Sequence, residues 1–225
     1  HRGQLRERLR RLRGRDCKRA DFAAFHVGRG GKGGREVEID FAAHERRDRR
    51  SPAFVRHSRY VDAVAFSPDG TRVAFTAGKD DALRLYVMNA DGTGLVPLTR
   101  GPNKAMNVEA AVSPDGKLIA FASDRGPDTD LAKLHISKWQ VAVIDVETNA
   151  IEVLPGQAGH NLNPQWAPDA KSVAYISDRT GVQNIFLYDL TDRSQYQLTN
   201  VLGAVNSQTE YSPAITWARQ ADVLA

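Results

Sequence analysis

Ala65-Phe66-Ser67-Pro68-Asp69-Gly70 is the stretch that decides the fold, because closely similar text recurs along the chain. The other copies are Ala111-Val112-Ser113-Pro114-Asp115-Gly116, Gln165-Trp166-Ala167-Pro168-Asp169-Ala170 and Thr216-Trp217-Ala218-Arg219-Gln220-Ala221. Proline presets the first corner of a turn, aspartate can bond its own backbone, and glycine supplies the positive φ that the last corner favours. Each copy is therefore predicted to be a strand end that runs into a turn, although the fourth copy has lost all three turn residues.

A second β pattern follows each turn, and two more strands complete each copy. The second strands are predicted at Arg72-Val73-Ala74-Phe75, Leu118-Ile119-Ala120-Phe121, Ser172-Val173-Ala174-Tyr175 and Val223-Leu224-Ala225. The third strands are predicted at Leu85-Tyr86-Val87-Met88-Asn89, Val141-Ala142-Val143-Ile144-Asp145 and Ile185-Phe186-Leu187-Tyr188-Asp189, and the fourth strands end at Leu98, Leu154 and Leu198. Each repeat is therefore predicted to be a four-stranded antiparallel meander.

The spacing between aligned positions separates constant connections from variable ones. The first-strand end and the second-strand Val or Ile are 7 residues apart in every complete copy, and the third-strand Asn or Asp and the fourth-strand Leu are 9 apart. The other spacings vary, with 16, 26 and 16 residues across the connection between second and third strands and 14, 12 and 19 before the next copy. Since successive strands alternate in direction, both variable connections share one edge of the sheet, which we call the variable-loop face. Binding residues concentrate in such loops, so this is the predicted working face.

A repeat of about 46 to 54 residues with four short strands is typical of a β-propeller blade. We predict an all-β fold, a partial propeller of three complete blades and the start of a fourth. The blades are placed at about 60–101, 106–156, 162–200 and 211–225, within a domain that spans residues 56–225. Three and a half blades cannot close a ring of ordinary size, which predicts a longer parent chain or an open arc.

Residues 1–55 form a basic leader, rich in Gly and Arg, that is predicted to be disordered or to contain a short helix. Residues 1–50 carry 14 Arg and 2 Lys against 8 acidic residues, a net charge of +8, whereas the remainder carries about −4. Leu5, Leu9 and Leu12 have helical spacing. A nucleic-acid or anionic-membrane arm is one hypothesis for the leader, and a plain linker is the other. The mildly acidic repeats do not predict a nucleic-acid partner, and no apolar run approaches the roughly 18 residues of a membrane helix.

Several motifs that would indicate a cofactor or a catalytic centre are incomplete in this sequence. The glycine cluster at 28–34 does not fit a phosphate-binding loop, and His44-Glu45-Arg46-Arg47-Asp48 lacks the second histidine of a zinc-binding helix. Asp124, Asp128 and Asp130 offer oxygen ligands for calcium, but their spacing matches no calcium loop. The lone Cys17 excludes a disulfide framework. The sequence therefore predicts no catalysis within this chain, no metal and no cofactor.

The blade text resembles the TolB-type propeller repeat. The resemblance rests on the Ser-Pro-Asp-Gly turn with the β strand after it, on Ser123-Asp124-Arg125 and Ser177-Asp178-Arg179, and on the Tyr-Asp-Leu and Leu-Thr endings, and it covers residues 60–225. It implies a bacterial, extracytoplasmic (periplasmic or cell-surface) propeller that binds protein partners, which in the TolB family are envelope proteins near the outer membrane. The same blade is similar to the non-catalytic propellers of prolyl-oligopeptidase-type peptidases and of large surface proteins. The leader and Arg219-Gln220 depart from the pattern.

Candidate contact residues lie in two connections on the variable-loop face. The second repeat has ten extra residues within about 125–138, where an aromatic side chain beside a polar insertion suits an interface anchor and its rim. The connection before the third copy is a weaker candidate. The residues in question are Asp128, Asp130, Lys133, His135, Lys138, Trp139, His160, Asn161 and Asn163. A solvated loop with Trp139 packed between blades is the alternative, and an ion pair or turn bond within each blade is the interpretation of the two Asp-Arg pairs.

Three functional hypotheses follow from these patterns. The leading one is an extracytoplasmic interaction module that presents the variable-loop face to a protein or peptide. The alternative is a non-catalytic accessory propeller of a larger hydrolase, which gates or positions substrate for a catalytic domain elsewhere in a longer chain. The third is a cytoplasmic scaffold, which a signal peptide upstream of His1 would exclude.

Overall fold

The computed structural model describes residues 25–29, 37–41, 54–57, 61–79, 82–99, 105–126, 129, 135, 137–205, 214–218 and 223–224. Within these ranges the chain consists of strands, turns and irregular connections. No described helix has the length and apolar character needed to cross a membrane.

Three four-stranded antiparallel sheets follow one another along the chain. The first consists of β4 (Val61–Phe66), β5 (Arg72–Lys79), β6 (Ala82–Asn89) and β7 (Val96–Pro97). The second consists of β8 (Asn107–Val112), β9 (Leu118–Ser123), β10 (Gln140–Asp145) and β11 (Ile151–Val153). The third consists of β12 (Asn161–Trp166), β13 (Ser172–Ser177), β14 (Asn184–Asp189) and β15 (Gln195–Gln197). Each sheet pairs its strands in sequence order, so the predicted meander is confirmed, and we call the sheets blades 1, 2 and 3.

Blade 4 begins as a two-stranded sheet, and a further sheet precedes blade 1. Blade 4 contains β16 (Trp217–Ala218) and β17 (Val223–Leu224). The preceding antiparallel sheet contains β1 (Phe25–Arg29), β2 (Val37–Phe41) and β3 (Phe54–His57). This sheet lies in the stretch for which disorder or a short helix was predicted, and the alternation of apolar and acidic residues in Val37-Glu38-Ile39-Asp40-Phe41 accounts for a strand there. The short helix predicted around Leu9 lies outside the described residues.

The Ser-Pro-Asp-Gly turns are closed by the hydrogen bonds that their residue types provide. In blade 1 the Gly70 N–H donates to the Ser67 carbonyl over 2.8 Å, and the Ser67 hydroxyl donates to the Asp69 carboxylate over 2.6 Å. The same carboxylate accepts from the Thr71 N–H over 3.0 Å. These bonds, that from Ser67 above all, lower the pKa of Asp69 to about 2. The turn therefore fixes the constant connection between first and second strands.

A β-bulge interrupts the first strand of every complete blade at the same repeat position. The register shifts between Val61 and Val64, between Val108 and Ala111, and between Leu162 and Gln165. Glu109 and Asn163 stand at two of these bulges with φ of 56° and 58°. The Glu109 carboxylate accepts from the Asn163 N–H over 2.6 Å, and Asn163 Oδ1 accepts from the Ala214 N–H over 2.9 Å. The first strands of blades 2 and 3 are thereby joined directly, and Asn163 also bonds the segment that leads into blade 4.

The hydrophobic cores lie between blades. One core packs blade 2 against blade 3 and includes Val141, Leu154, Trp166, Val173, Tyr175, Phe186 and Tyr188. Another packs blade 1 against blade 2 and includes Ala74, Leu85, Leu98, Ile119, Phe121 and Ile144. The second strands of the blades are buried on both faces, as in Ser172–Ser177, which explains their continuous apolar text. Each blade therefore depends on its neighbours for burial of apolar surface.

Candidate functional site

The variable-loop face is made of the connections β5–β6, β9–β10 and β13–β14 and of the segments that link successive blades. Its best described part lies between blades 2 and 3, where the end of the β9–β10 insertion (137–139) meets the β11–β12 connection (154–160) and the β13–β14 turn (178–183). This part contains three of the candidate contact residues, Lys138, Trp139 and His160.

Trp139 and His160 are brought together at this place. The Trp139 backbone N–H donates to His160 Nδ1 over 3.3 Å, which assigns the neutral imidazole proton to Nε2. The His160 N–H in turn donates to the Asp178 carboxylate over 2.7 Å. Trp139 is half-buried, whereas Lys138 beside it and His160 are exposed. The pairing joins the Trp139 backbone to the His160 imidazole, with the cationic Lys138 next in sequence, and residues of these types are suited to an interface anchor and its rim.

The base of the blade 2 insertion is closed by short-range contacts. Thr129 bonds both ends of the insertion, since its hydroxyl donates to the Asp124 carbonyl and accepts from the Ser137 N–H over 3.1 Å. Gly126 lies so close to Ser137 that an added Cβ would stand 2.4 Å from the serine hydroxyl. His135 is exposed, and the candidates Asp128, Asp130 and Lys133 lie outside the described residues. Gly126 and Ser137, at the two ends of the insertion, therefore lie close together.

Asn161 and Asn163 are placed inside the contact between blades. Asn161 is fully buried, and its Nδ2 donates to the Trp139 carbonyl over 3.2 Å. Asn163 is 3% exposed and joins Glu109 to blade 4 through the bulge contacts. Their side chains are thus occupied by hydrogen bonds between blades. Sequence reasoning grouped them with His160 because it could not tell the buried start of β12 from the loop before it.

The Ser-Asp-Arg sequences use their carboxylates as backbone acceptors. Asp124 Oδ1 accepts from the Met106 N–H over 2.7 Å, as Asp178 does from His160, so each aspartate ties the connection that enters its blade to the connection after the second strand. This is the turn-bond form of the interpretation drawn from the sequence. Asp124 is fully buried and its Oδ2 has no partner among the described residues, so burial raises the pKa of its carboxyl.

The two arginines stack on aromatic rings of their own blades. The Arg125 guanidinium lies 5.1 Å from the centre of the Phe121 ring, and that of Arg179 lies 4.3 Å from the centre of the Phe186 ring. Burial lowers the pKa of Arg125 from its ordinary high value, and an arginine nevertheless stays charged. Both side chains are half-buried, and these cation–π contacts hold the guanidinium groups against their own blades.

An apolar feature of the variable-loop face was missed by the sequence reasoning. Val201 and Leu202, in the segment that follows blade 3, are 39% and 103% exposed. Leu198 just before them is 46% exposed, whereas its repeat equivalents Leu98 and Leu154 are 4% and 2% exposed. The signal was the length of this connection, at 19 residues the longest of its kind. Among the described residues no group of three or more His, Cys, Asp or Glu is placed to hold a metal ion.

Comparison with known families agrees with the blade geometry. Residues 47–141, which span blade 1 and most of blade 2, match the family described as the TolB beta propeller domain. Over these residues the repeat is similar to the TolB type. A TolB structure from Acinetobacter baumannii superposes with a TM-score of 0.64 over 90% of this chain and 45% of that protein, at 17% identity. That likeness establishes the propeller fold and confirms the prediction of a partial, all-β propeller.

Two curated proteins are similar to part of this chain. The Tol-Pal system protein TolB of Desulfosudis oleivorans is 28% identical over 52% of this chain and 24% of its own length. The uncharacterised peptidase YuxL of Bacillus subtilis is 26% identical over 61% of this chain and 20% of its own length. The matched region thus spans about a quarter or less of these relatives.

Proposed function

We propose that these TolB-type blades form a protein-binding module that presents its variable-loop face to a protein or peptide partner. The single observation that supports this most is the group made by Lys138, Trp139 and His160 at the seam between blades 2 and 3. An aromatic side chain flanked by polar groups and held by backbone hydrogen bonds has the composition of a binding hot spot. The exposed Val201 and Leu202 extend apolar surface along the same face.

Site-specific photo-crosslinking tests the choice of face. A photoreactive amino acid is placed at position 138 or 160, and a matched one at position 115 or 147 on the opposite edge. The full chain is then exposed to envelope extract of the source bacterium. Crosslinked protein that is recovered from the first pair only supports the proposal, and equal recovery from both edges contradicts it.

Trimming the insertion between Gly126 and His135 tests whether the insertion itself takes part. Thr129 and Ser137 bond each other at the base of the insertion, so the trimmed chain needs a short linker that restores closure. Unchanged partner recovery in a pull-down would restrict the contact surface to Trp139 and His160.

The alternative function is that of an accessory propeller in a larger hydrolase. The similarity to YuxL favours the accessory propeller as the second candidate, since a similar sequence occurs in a protein that is named as a peptidase. Reading the coding sequence around this segment discriminates the two functions. A Gly-x-Ser-x-Gly nucleophile motif with a hydrolase domain supports the alternative, and further blades followed by a stop codon support the binding module.

We also infer an extracytoplasmic location, which the similarity to a Tol-Pal system protein supports. Fractionation of the source bacterium with an antibody against blades 1 to 3 is the measurement. Recovery with the periplasmic or surface fraction is expected, and recovery with the cytoplasm would contradict this location.

A further inference from the structure

The seam between blades 2 and 3 carries a second set of bonds, directed at the backbone of Trp139. The Trp139 carbonyl accepts from the Asn161 N–H over 2.9 Å and from Asn161 Nδ2 over 3.2 Å. The same Nδ2 lies 3.3 Å from the carbonyls of Ala158 and Gly159. One side-chain amide therefore contacts both the β9–β10 and the β11–β12 connections. Asn161 Oδ1 accepts a hydrogen bond from the Arg179 guanidinium over 3.1 Å.

Arg179 is itself fixed by several contacts. Its Nε donates to the Ser177 hydroxyl over 3.0 Å, and its guanidinium also bonds the Tyr175 hydroxyl and the Gln195 side chain. Ser177 is the cross-strand partner of Asn161 in the sheet register. The asparagine, serine, aspartate and arginine therefore form one connected group, which we call the docking group of blade 3: Asn161, Ser177, Asp178 and Arg179.

Blade 2 repeats the docking group against blade 1. Asn107 Nδ2 donates to the Leu83 carbonyl over 2.6 Å, and its Oδ1 accepts from Ser123 over 3.0 Å and from Arg125 over 2.7 Å. Leu83 stands two residues before the third-strand Leu85, as Trp139 stands two residues before Val141. Trp139 thus occupies the repeat position whose backbone carbonyl is bonded by the asparagine of the following blade.

Blade 1 lacks the whole group at once. The register pairs Val61 with Ala77 where blades 2 and 3 pair asparagine with serine. Gly78 and Lys79 replace the aspartate and the arginine. Joint presence in two blades and joint absence in the third indicate that the four residues act as a unit.

We propose that the docking group of blade 3 is a positioning device for the contact residues, which sets where Trp139 and His160 stand on the variable-loop face. Asn161 holds Trp139 through its carbonyl, and Asp178 holds His160 through its N–H. The functional meaning rests on the proposed function, whereas the geometric claim can be tested without a partner.

The test replaces Asn161 by Asp in the full chain. This change preserves size and the acceptor for Arg179 but removes the Nδ2 donor and places a carboxylate oxygen against three carbonyls. The matched control is Asn107→Asp, the same change in the docking group of blade 2. Both proteins are labelled with 5-fluorotryptophan, and the three tryptophan signals are assigned in the ¹⁹F NMR spectrum with tryptophan-to-phenylalanine variants.

We expect Asn161→Asp to shift the Trp139 signal in the ¹⁹F NMR spectrum. Hydrogen exchange of the backbone N–H of residue 161 should also become about tenfold faster, which corresponds to the loss of one hydrogen bond. Asn107→Asp is expected to leave the Trp139 signal in place. An unmoved Trp139 signal in Asn161→Asp, or an equal shift in both variants, would overturn the proposal. If Asn161→Asp does not fold, Arg179→Lys provides the second test, with Arg125→Lys as its control and the same expectations for Trp139.

Failure of this inference and failure of the proposed function are distinguishable. A Trp139 signal that does not shift in Asn161→Asp overturns the positioning role of the docking group, whatever the result of the crosslinking experiment. A Trp139 signal that follows the docking group, in a chain that gives no crosslinks from positions 138 and 160, supports positioning and overturns the binding face.

Discussion

Ala170 shows how a single residue departs from its repeat. It adopts a left-handed conformation with φ of 60° at the turn position where blades 1 and 2 have Gly70 and Gly116, with φ of 69° and 74°. A left-handed alanine costs about 1–2 kcal/mol, which glycine avoids. Glycine also adds about 0.4–1 kcal/mol of unfolded-state entropy cost. Ala170→Gly is therefore expected to raise the free energy of unfolding by about 0.5–1 kcal/mol, as measured by urea denaturation.

Gly70→Ala is the control for that prediction. A Cβ at Gly70 would meet no atom within 4 Å, so only the backbone conformation opposes it. We expect a loss of about 0.5–1 kcal/mol, opposite in sign to Ala170→Gly. Changes of the same sign in both variants would show that the left-handed turn position does not decide these stabilities.

Asp124 makes stability depend on pH through a buried carboxyl. Burial raises its folded-state pKa above the ordinary 3.8. The carboxyl of Asp124 therefore loses its proton more readily in the unfolded chain than in the folded protein. At pH values above the folded pKa the ionised group opposes folding. The protein gains stability from this group as pH falls through the folded pKa towards 3.8. In Asp124→Asn that gain is expected to be absent, as seen in thermal unfolding from pH 7 to pH 4.

Asp69→Asn serves as the control of opposite sign. The Asp69 pKa is lowered from 3.8 to about 2, so its contribution is present at neutral pH and is lost as pH falls through that interval. The variant should flatten the acid limb of the unfolding profile below pH 4, and above pH 4 it should lower stability by a constant amount without changing the slope of the profile. An altered slope above pH 4 in Asp69→Asn, or an unaltered slope there in Asp124→Asn, would contradict this assignment.

The β11–β12 connection and the β13–β14 turn approach each other so closely that no side chain fits between them at Gly159. Gly159 has φ of 68°, and a Cβ there would lie 2.2 Å from Asp178 Oδ1 and 3.0 Å from the Arg179 backbone nitrogen. Gly159→Ala must therefore displace the carboxylate that holds His160. We expect a loss of about 2–3 kcal/mol in urea denaturation, from the left-handed alanine together with one lost charge-assisted hydrogen bond.

Gly181→Ala is the matched variant for that element. Gly181 lies in the neighbouring turn with φ of 85°, and a Cβ there meets nothing within 4 Å. Its replacement should cost only the net backbone term of about 0.5–1 kcal/mol, as at Gly70. If both alanines cost the same, the close approach of the two connections does not contribute to stability.

The elements that the sequence predicted well are those with local determinants. The turn at Ser67 and Asp69 follows from residue types that bond each other within five positions, and the constant spacings follow from such turns. The docking group could not be predicted, because Asn161 and Arg179 are 18 positions apart and the asparagine serves the preceding blade. Likewise, the burial of Asn163 depends on Glu109, which is 54 positions away. The sequence therefore predicted a working face, but could not separate its surface residues from those that support them.

At the scale of the whole molecule, the arc obtains its stability from contacts between blades. Leu154 is 2% exposed because blade 3 covers it, whereas Leu198, at the same repeat position one blade later, is 46% exposed. Burial between neighbours, rather than residue type, therefore decides what each leucine contributes. Leu154→Ala is expected to cost about 2–4 kcal/mol, through lost transfer energy and a cavity. Leu198→Ala is expected to cost less than about 1 kcal/mol, because a leucine that is half-exposed has less apolar surface to lose. Urea denaturation of the two variants checks the pair, and equal losses would show that the flank of blade 3 is covered in solution.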